Sequence, residues 1–280
     1  MKLVRYGKAG EERPGVIDAD GTIRDVSSLI SDFAPETLTP DLLAAIRAAD
    51  LAALPAAPQN VRLGAPLRRV GHFVAIGLNY AEHAAETGAK VPDEPVVFSK
   101  APSSICGPTD DILLPRGSQR LDWEVELAVV IGRRCDYVEE AEALSHVLGY
   151  TLCNDVSERE YQKERGGQWI KGKSAPTFGP LGSFIATADE IPDPQALSMF
   201  LDVNGARRQT GSTATMIFPV AFLVSYLSRF MVLEPGDVIA TGTPPGVGLG
   251  MSPPQFLRAG DEVRLGIDGL GEQRHIVVAR

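Results

Sequence analysis

The sequence predicts a mixed-β fold with flanking helices, an α+β arrangement, and three observations carry that reading. There are 28 glycines and 21 prolines in 280 residues, more turn formers than a helical bundle accommodates. Segments with strand character are numerous, short and bounded by turn residues. Helical runs are few and short.

The elements follow in order. Residues 3–6 and the two arms of GVIDADGTIRDV read as short strands joined at Asp20-Gly21. Thr39-Pro40 is a cap followed by a first-turn proline, and it opens the helical run DLLAAIRAADLAAL. The Pro- and Ala-rich stretch LPAAPQN then marks a boundary near residue 60. Residues 1–60 read as a small α/β scaffold domain, and residues 61–280 carry the chemistry. In the second part, Val70 to Ile76 is a buried strand, and Asn79 can cap a short helix starting at Tyr80. WEVELAVVI, from Trp123, is a strand. Val138 to Leu148 has helical spacing and leads into the strand YTLCND. Asn204-Gly205 is a hairpin turn. Phe218 to Phe230 is an apolar helix, and the end of the chain returns to β structure. LEPGDVIATG and LRAGDEVRLG share one turn chemistry.

Composition narrows the function. The net charge is −9 and no Lys/Arg-rich stretch occurs, which argues against a nucleic-acid partner. The most apolar window, Phe218 to Tyr226, is too short to span a bilayer. The opening residues MKLVRYGKAG lack a signal-peptide core. The three cysteines, Cys106, Cys135 and Cys153, fit no metal or disulfide spacing. They read as buried thiols of a cytoplasmic protein.

Glu124 and Glu126 lie two apart on one strand, so both carboxylates share a face. Set among apolar residues they repel unless a cation lies between them. A half-exposed strand with its acids in water is the competing reading. Asp155 ends the next strand and can supply a third oxygen ligand, or it can cap the helix that follows. An all-oxygen set favours Mg²⁺, with Mn²⁺ as a second choice. His83 and Glu86 are three apart, on one helix face. They form either a general base with its orienting carboxylate or an exposed ion pair. Lys171 and Lys173 precede a Pro/Gly-rich stretch and are either solvated or able to meet an oxyanion. Arg159 and Gln162 follow Asp155 within two turns. TGTPPGVG, from Thr241, offers backbone N–H groups to an anion but is neither a Walker loop nor a dinucleotide fingerprint. His72 and His275 read as structural, and His146 as packed on a helix.

Taken together, GLNYAEHAAE (77–86), DWEVELAVVIG (122–132), CND (153–155), KGKS (171–174), the NG.RRQ.G.T..MIF pattern (204–218) and LEPGDVIATGTPPGVG (233–248) resemble the fumarylacetoacetate hydrolase family. The resemblance covers residues 70 to 280 in order. It implies a β-roll of mixed sheets, commonly as a homodimer. It also implies metal ligands Glu124, Glu126 and Asp155 for Mg²⁺ or Mn²⁺, a water-activating pair His83 and Glu86, and an active-site lysine at Lys173. Substrate-binding positions fall on Arg159, Gln162 and Thr243. Where many relatives read K-S-x-D-T-F, this chain has Pro176 in place of the acid.

The implied activity is metal-dependent hydrolysis of a C–C bond in a 2,4-diketo acid, an acylpyruvate. The segments from Tyr161 and Thr241 look most like the bacterial subgroup that converts 2,4-diketo-3-deoxy-L-rhamnonate or -fuconate to pyruvate and lactate. Three alternatives stand beside that. One is oxaloacetate decarboxylation or isomerisation of an unsaturated dicarboxylate on the same metal site. The others are ureidoglycolate lyase activity and an inactive binding paralogue.

Overall fold

Period-two alternation along the central strands decides which side chain meets which core. The computed structural model describes residues 1–280 and places fourteen strands in two sheets. The larger sheet is built from β1 (Lys2–Tyr6), β2 (Arg13–Ile17), β3 (Ile23–Asp25), β4 (Phe73–Gly77), β5 (Val96–Lys100), β7 (Val125–Ile131), β8 (Val147–Asn154), β9 (Ile185–Thr187) and β12 (Val238–Ala240). Their spatial order is β3-β2-β1-β9-β8-β7-β12-β4-β5. All neighbours are antiparallel except β12 and β4, so the sheet is mixed. The second sheet has the order β11-β10-β13-β14-β6. Its strands are β6 (Ile112–Leu114), β10 (Ser198–Val203), β11 (Ala206–Ser212), β13 (Glu262–Ile267) and β14 (Gly271–Ala279).

Leu127, Val129 and Ile131 of β7 point to one side, with Val74 and Ile76 of β4. There they join Leu201, Val203, Val263 and Leu265 of the second sheet and Leu223, Val224 and Leu227 of an apolar helix. That helix is α6 (Val220–Ser228). Ala128 and Val130 point to the other side, with Phe73 and Ala75, and pack on Leu3, Val16, Phe33 and Ile46. With both faces covered, β7 and β8 are buried at every position, which is why they read as near-continuous apolar runs.

The sequence boundary near residue 60 does not interrupt the sheet. β1 pairs with β9 through Lys2–Ala186 and Leu3–Ile185. Helix α1 (Pro40–Ala48) starts as expected, with the Thr39 side chain accepting the Leu42 N–H. The 138–148 run is shorter than expected: α3 covers only Glu140–Ala143, followed by one 3-10 turn. Asn204 and Gly205 both have positive φ, at 52° and 74°, and turn β10 into β11 as predicted. The shared turn chemistry is also present. Asp237 accepts the Glu234 N–H at 2.9 Å and Asp261 accepts the Arg258 N–H at 2.7 Å. No helix is long and apolar enough to cross a membrane.

Candidate active site

The carboxylate cluster follows from strand register. On the β7–β8 ladder Glu126 faces Cys153 and Val125 faces Asn154. One step further sets Asp155 opposite Glu124, and the Asp155 N–H reaches the Glu124 carbonyl at 2.9 Å. Paired residues share a face and alternate residues share a face. Glu124, Glu126 and Asp155 therefore converge, each offering an oxygen within 4.8 Å of the others. All three are buried. Asp155 caps no helix: Glu158 caps α4 (Arg159–Glu164) by accepting the Tyr161 N–H.

Buried acids need positive partners, and three cations supply them. Lys173, at the end of α5 (Ile170–Lys173), puts Nζ 2.5 Å from Glu124 Oε2 and 2.5 Å from Asp155 Oδ2. Lys100 Nζ lies 2.5 Å from Asp155 Oδ1 and donates to the Lys173 carbonyl at 2.6 Å. Arg159 donates to Glu124 Oε1 at 2.7 Å, Asp122 Oδ2 at 2.8 Å and Gln162 Oε1 at 3.0 Å. Burial would raise Glu124, but Arg159 and Lys173 hold it well below the usual carboxylate range. Burial would likewise lower Lys173, but Asp155 and Glu124 keep it charged.

Glu126 is different. Its carboxylate receives one backbone N–H, from Gly242 at 2.9 Å, and no side-chain cation. Burial, then Asp155 and Glu124, push it well above the carboxylate range. A cluster with one uncompensated acid and an all-oxygen donor set fits a hard divalent cation such as Mg²⁺ or Mn²⁺.

His83 and Glu86 pair as the spacing implies. On α2 (Ala81–Glu86), His83 Nδ1 is 2.8 Å from Glu86 Oε1. His83 is buried and lines the same cavity as the three acids. The cap expected at Asn79 is absent. Tyr80 begins the helix without a side-chain cap. Asn79 instead ties together the carbonyls of Phe218 and Thr241 and accepts the Phe218 N–H.

The loop from Thr241 departs from its expected role. Its N–H groups are taken by the protein's own carboxylates. Gly242 donates to Glu126, Gly246 and Val247 to Glu86, and Gly248 and Leu249 to Asp122. A Pro/Gly-rich loop presents consecutive N–H groups; here they fix acids and do not face a ligand. Thr243 lines the cavity, yet its hydroxyl donates to the Val125 carbonyl at 2.9 Å and accepts from Gln209 Nε2 at 2.8 Å.

One buried charge had no motif to announce it: Lys100 closes the apolar strand VVFSK, whereas Asp122 stands inside the DWEVELAVVIG segment but was given no role. A charged residue ending an apolar run was the only available signal. Lys171 reaches only the Arg165 carbonyl, and its side chain lies at the surface. His275 is buried in β14, while His72 is largely exposed beside Asp237. All three cysteines are free.

The sequence and architecture have close counterparts. Residues 72–278 match the family description "Fumarylacetoacetate (FAA) hydrolase C-terminal". A Burkholderia ambifaria protein with a provisional hydrolase name is 60% identical, over 98% of this chain and 97% of that one. A fumarylacetoacetate hydrolase structure from Exiguobacterium antarcticum is 40% identical, covers 100% of both chains and superposes with a TM-score of 0.87. A maleylpyruvate hydrolase from Sphingobium sp. SYK-6, solved with manganese(II) and pyruvate, is 32% identical with a TM-score of 0.83, over 100% of this chain and 99% of that one. With a family match over most of its length and such relatives at both levels, the chain belongs to the fumarylacetoacetate hydrolase family of enzymes.

Proposed function

We propose that this protein hydrolyses a C–C bond in an acylpyruvate with the help of a divalent cation. The observation that carries the reading is the meeting, in one cavity, of the Glu124–Glu126–Asp155 cluster and His83, whose Nδ1 Glu86 holds. Glu124, Glu126 and Asp155 would hold Mg²⁺ or Mn²⁺. Bound there, the ion supplies Lewis-acid charge for the 2-oxo acid end of the substrate. The maleylpyruvate hydrolase relative, solved with manganese(II) and pyruvate, supports both the ion class and the product.

The chain's own residues do the rest. Glu86 holds Nδ1 of His83 and thereby leaves Nε2 as the basic edge. His83 takes a proton from water, and the hydroxide adds to the 4-oxo carbon. Lys173 faces the negative charge that develops on that oxygen. The C3–C4 bond then breaks with its electron pair on C3. C3 takes up a proton to give pyruvate, and the acyl group leaves as a carboxylic acid. The sugar-acid acyl group suggested by the resemblance, lactoyl from 2,4-diketo-3-deoxy-L-rhamnonate, belongs in the first assay panel.

Pyruvate release from a panel of acylpyruvates, with Mg²⁺ and with chelator, tests the proposal. Metal-dependent pyruvate in equal amount with the matching acid is expected. Carbon dioxide from oxaloacetate, with no pyruvate from any acylpyruvate, overturns it. His83→Ala is expected to cost about 10²–10⁴-fold in kcat while leaving Mn²⁺ binding intact. An unchanged rate removes the base from His83.

A further inference from the structure

Strand β5 ends in a buried ammonium that does not reach the active-site cavity. Lys100 is 1% exposed and is not among the residues that line that cavity. An ammonium has three N–H donors to place. Lys100 places them on Asp155 Oδ1 at 2.5 Å, the Lys173 carbonyl at 2.6 Å and the Val156 carbonyl at 3.4 Å. The next residue adds a second attachment: the Ala101 N–H donates to Ser174 Oγ at 2.8 Å. The end of an edge strand thus clamps the end of α5, where the last carbonyls of a helix have no partner inside it.

The clamp fixes a carboxylate as well as a backbone. Lys173 holds Oδ2 of Asp155 and Lys100 holds Oδ1, so neither oxygen is free to turn. A carboxylate offers about four lone-pair directions; the two lysines use two, and the others stay available to an ion. Resting on the divalent-cation reading above, we infer that Lys100 is a positioning residue: it orients Asp155 as a metal ligand and touches neither ion nor substrate. Charge alone leads to the opposite expectation. An ammonium 2.5 Å from Asp155 Oδ1 repels a divalent cation on the same carboxylate, so its removal would tighten binding. Removing the hydrogen bond that orients a ligand instead loosens metal binding, typically about 10–100-fold. The sign of the change separates orientation from charge.

Titration of the intact chain with Mn²⁺, with the free ion followed by electron paramagnetic resonance, tests this without turnover. Lys100→Met keeps a long side chain and removes both the charge and the donors. Its Kd for Mn²⁺ is expected to rise about 10–100-fold. Lys100→Gln, which also lacks three N–H donors, is expected to shift in the same direction, and it decides the matter if Lys100→Met fails to fold; melting curves check both. A Kd that is unchanged or lower in the folded variants overturns the assignment, the unchanged value leaving Lys100 a purely structural charge. A wild type that binds no Mn²⁺ overturns it together with the ion-holding role of the carboxylate cluster. A wild type that binds Mn²⁺ but fails the pyruvate assay counts against the hydrolase reading alone.

Discussion

Asp122 receives four hydrogen bonds, from Trp123 N–H, Gly248 N–H, Leu249 N–H and Arg159 Nε. It touches no member of the carboxylate cluster but sets the guanidinium that does. Asp122→Asn keeps the size and removes the charge, leaving Arg159 half-compensated in a buried site. Breaking a buried ion pair costs on the order of 3–5 kcal/mol, and urea unfolding at neutral pH is expected to register a loss of that order. His275 sets the behaviour in acid. Burial depresses its pKa below 6.5, against the pull of the Asp110 carbonyl. The unfolded chain therefore binds a proton near pH 6.5 that the folded chain refuses. The contribution of His275 is complete above pH 6.5 and is lost as pH falls from there through its lower folded pKa. His275→Asn is expected to flatten the acid limb of a stability-versus-pH curve measured between pH 7.5 and 5. A limb of unchanged slope would assign the acid sensitivity elsewhere.

Helices α4 and α5 meet so closely that a glycine is required between them. A Cβ on Gly172 would come within 2.4 Å of the Gln162 backbone nitrogen and 2.5 Å of the Glu158 carbonyl. Gly172→Ala is expected to push the two helices apart and to cost about 1–3 kcal/mol by overpacking. It should also move Lys173 away from Glu124 and Asp155. The check is a melting temperature together with a turnover assay, and both are expected to fall. What the sequence made legible at this scale tracks local physics. The Thr39 cap, the Asn204-Gly205 turn, the two Gly-Asp turns and the His83–Glu86 pair are short-range devices, and each stands where it was read. Asn79 and the Thr241 loop were misjudged for one shared reason. Their polar groups have partners far along the chain: Asn79 at Phe218 and Gly246 at Glu86. Local capping rules carry no information about such partners.

The whole molecule is organised by one sheet with covered faces. Leu3, Val16, Phe33 and Ile46 pack in the same cluster as Phe73, Ala128 and Val238. A boundary at residue 60 drawn from composition therefore predicts two unfolding events, whereas a shared sheet and core predict one. Calorimetry on the intact chain is expected to give a single transition, and a chain lacking residues 1–60 is expected to aggregate through the uncovered face of β7 and β8. The mixed-β class was readable from glycine, proline and the many short strand signals. The placement of β12 between β7 and β4 was not, because it joins segments more than 100 residues apart that carry no local mark of their pairing.

The loop from Thr241 holds Glu126, Glu86 and Asp122 through main-chain N–H groups alone. Its side chains are thereby released from that duty. Leu249 faces the cavity while its own N–H steadies Asp122. Natural drift or a mutant library can change the lettering at that position and leave the acids where they are. On the proposed acylpyruvate chemistry, new acyl groups would then be admitted by a change of one wall residue, with the carboxylate cluster inherited unaltered.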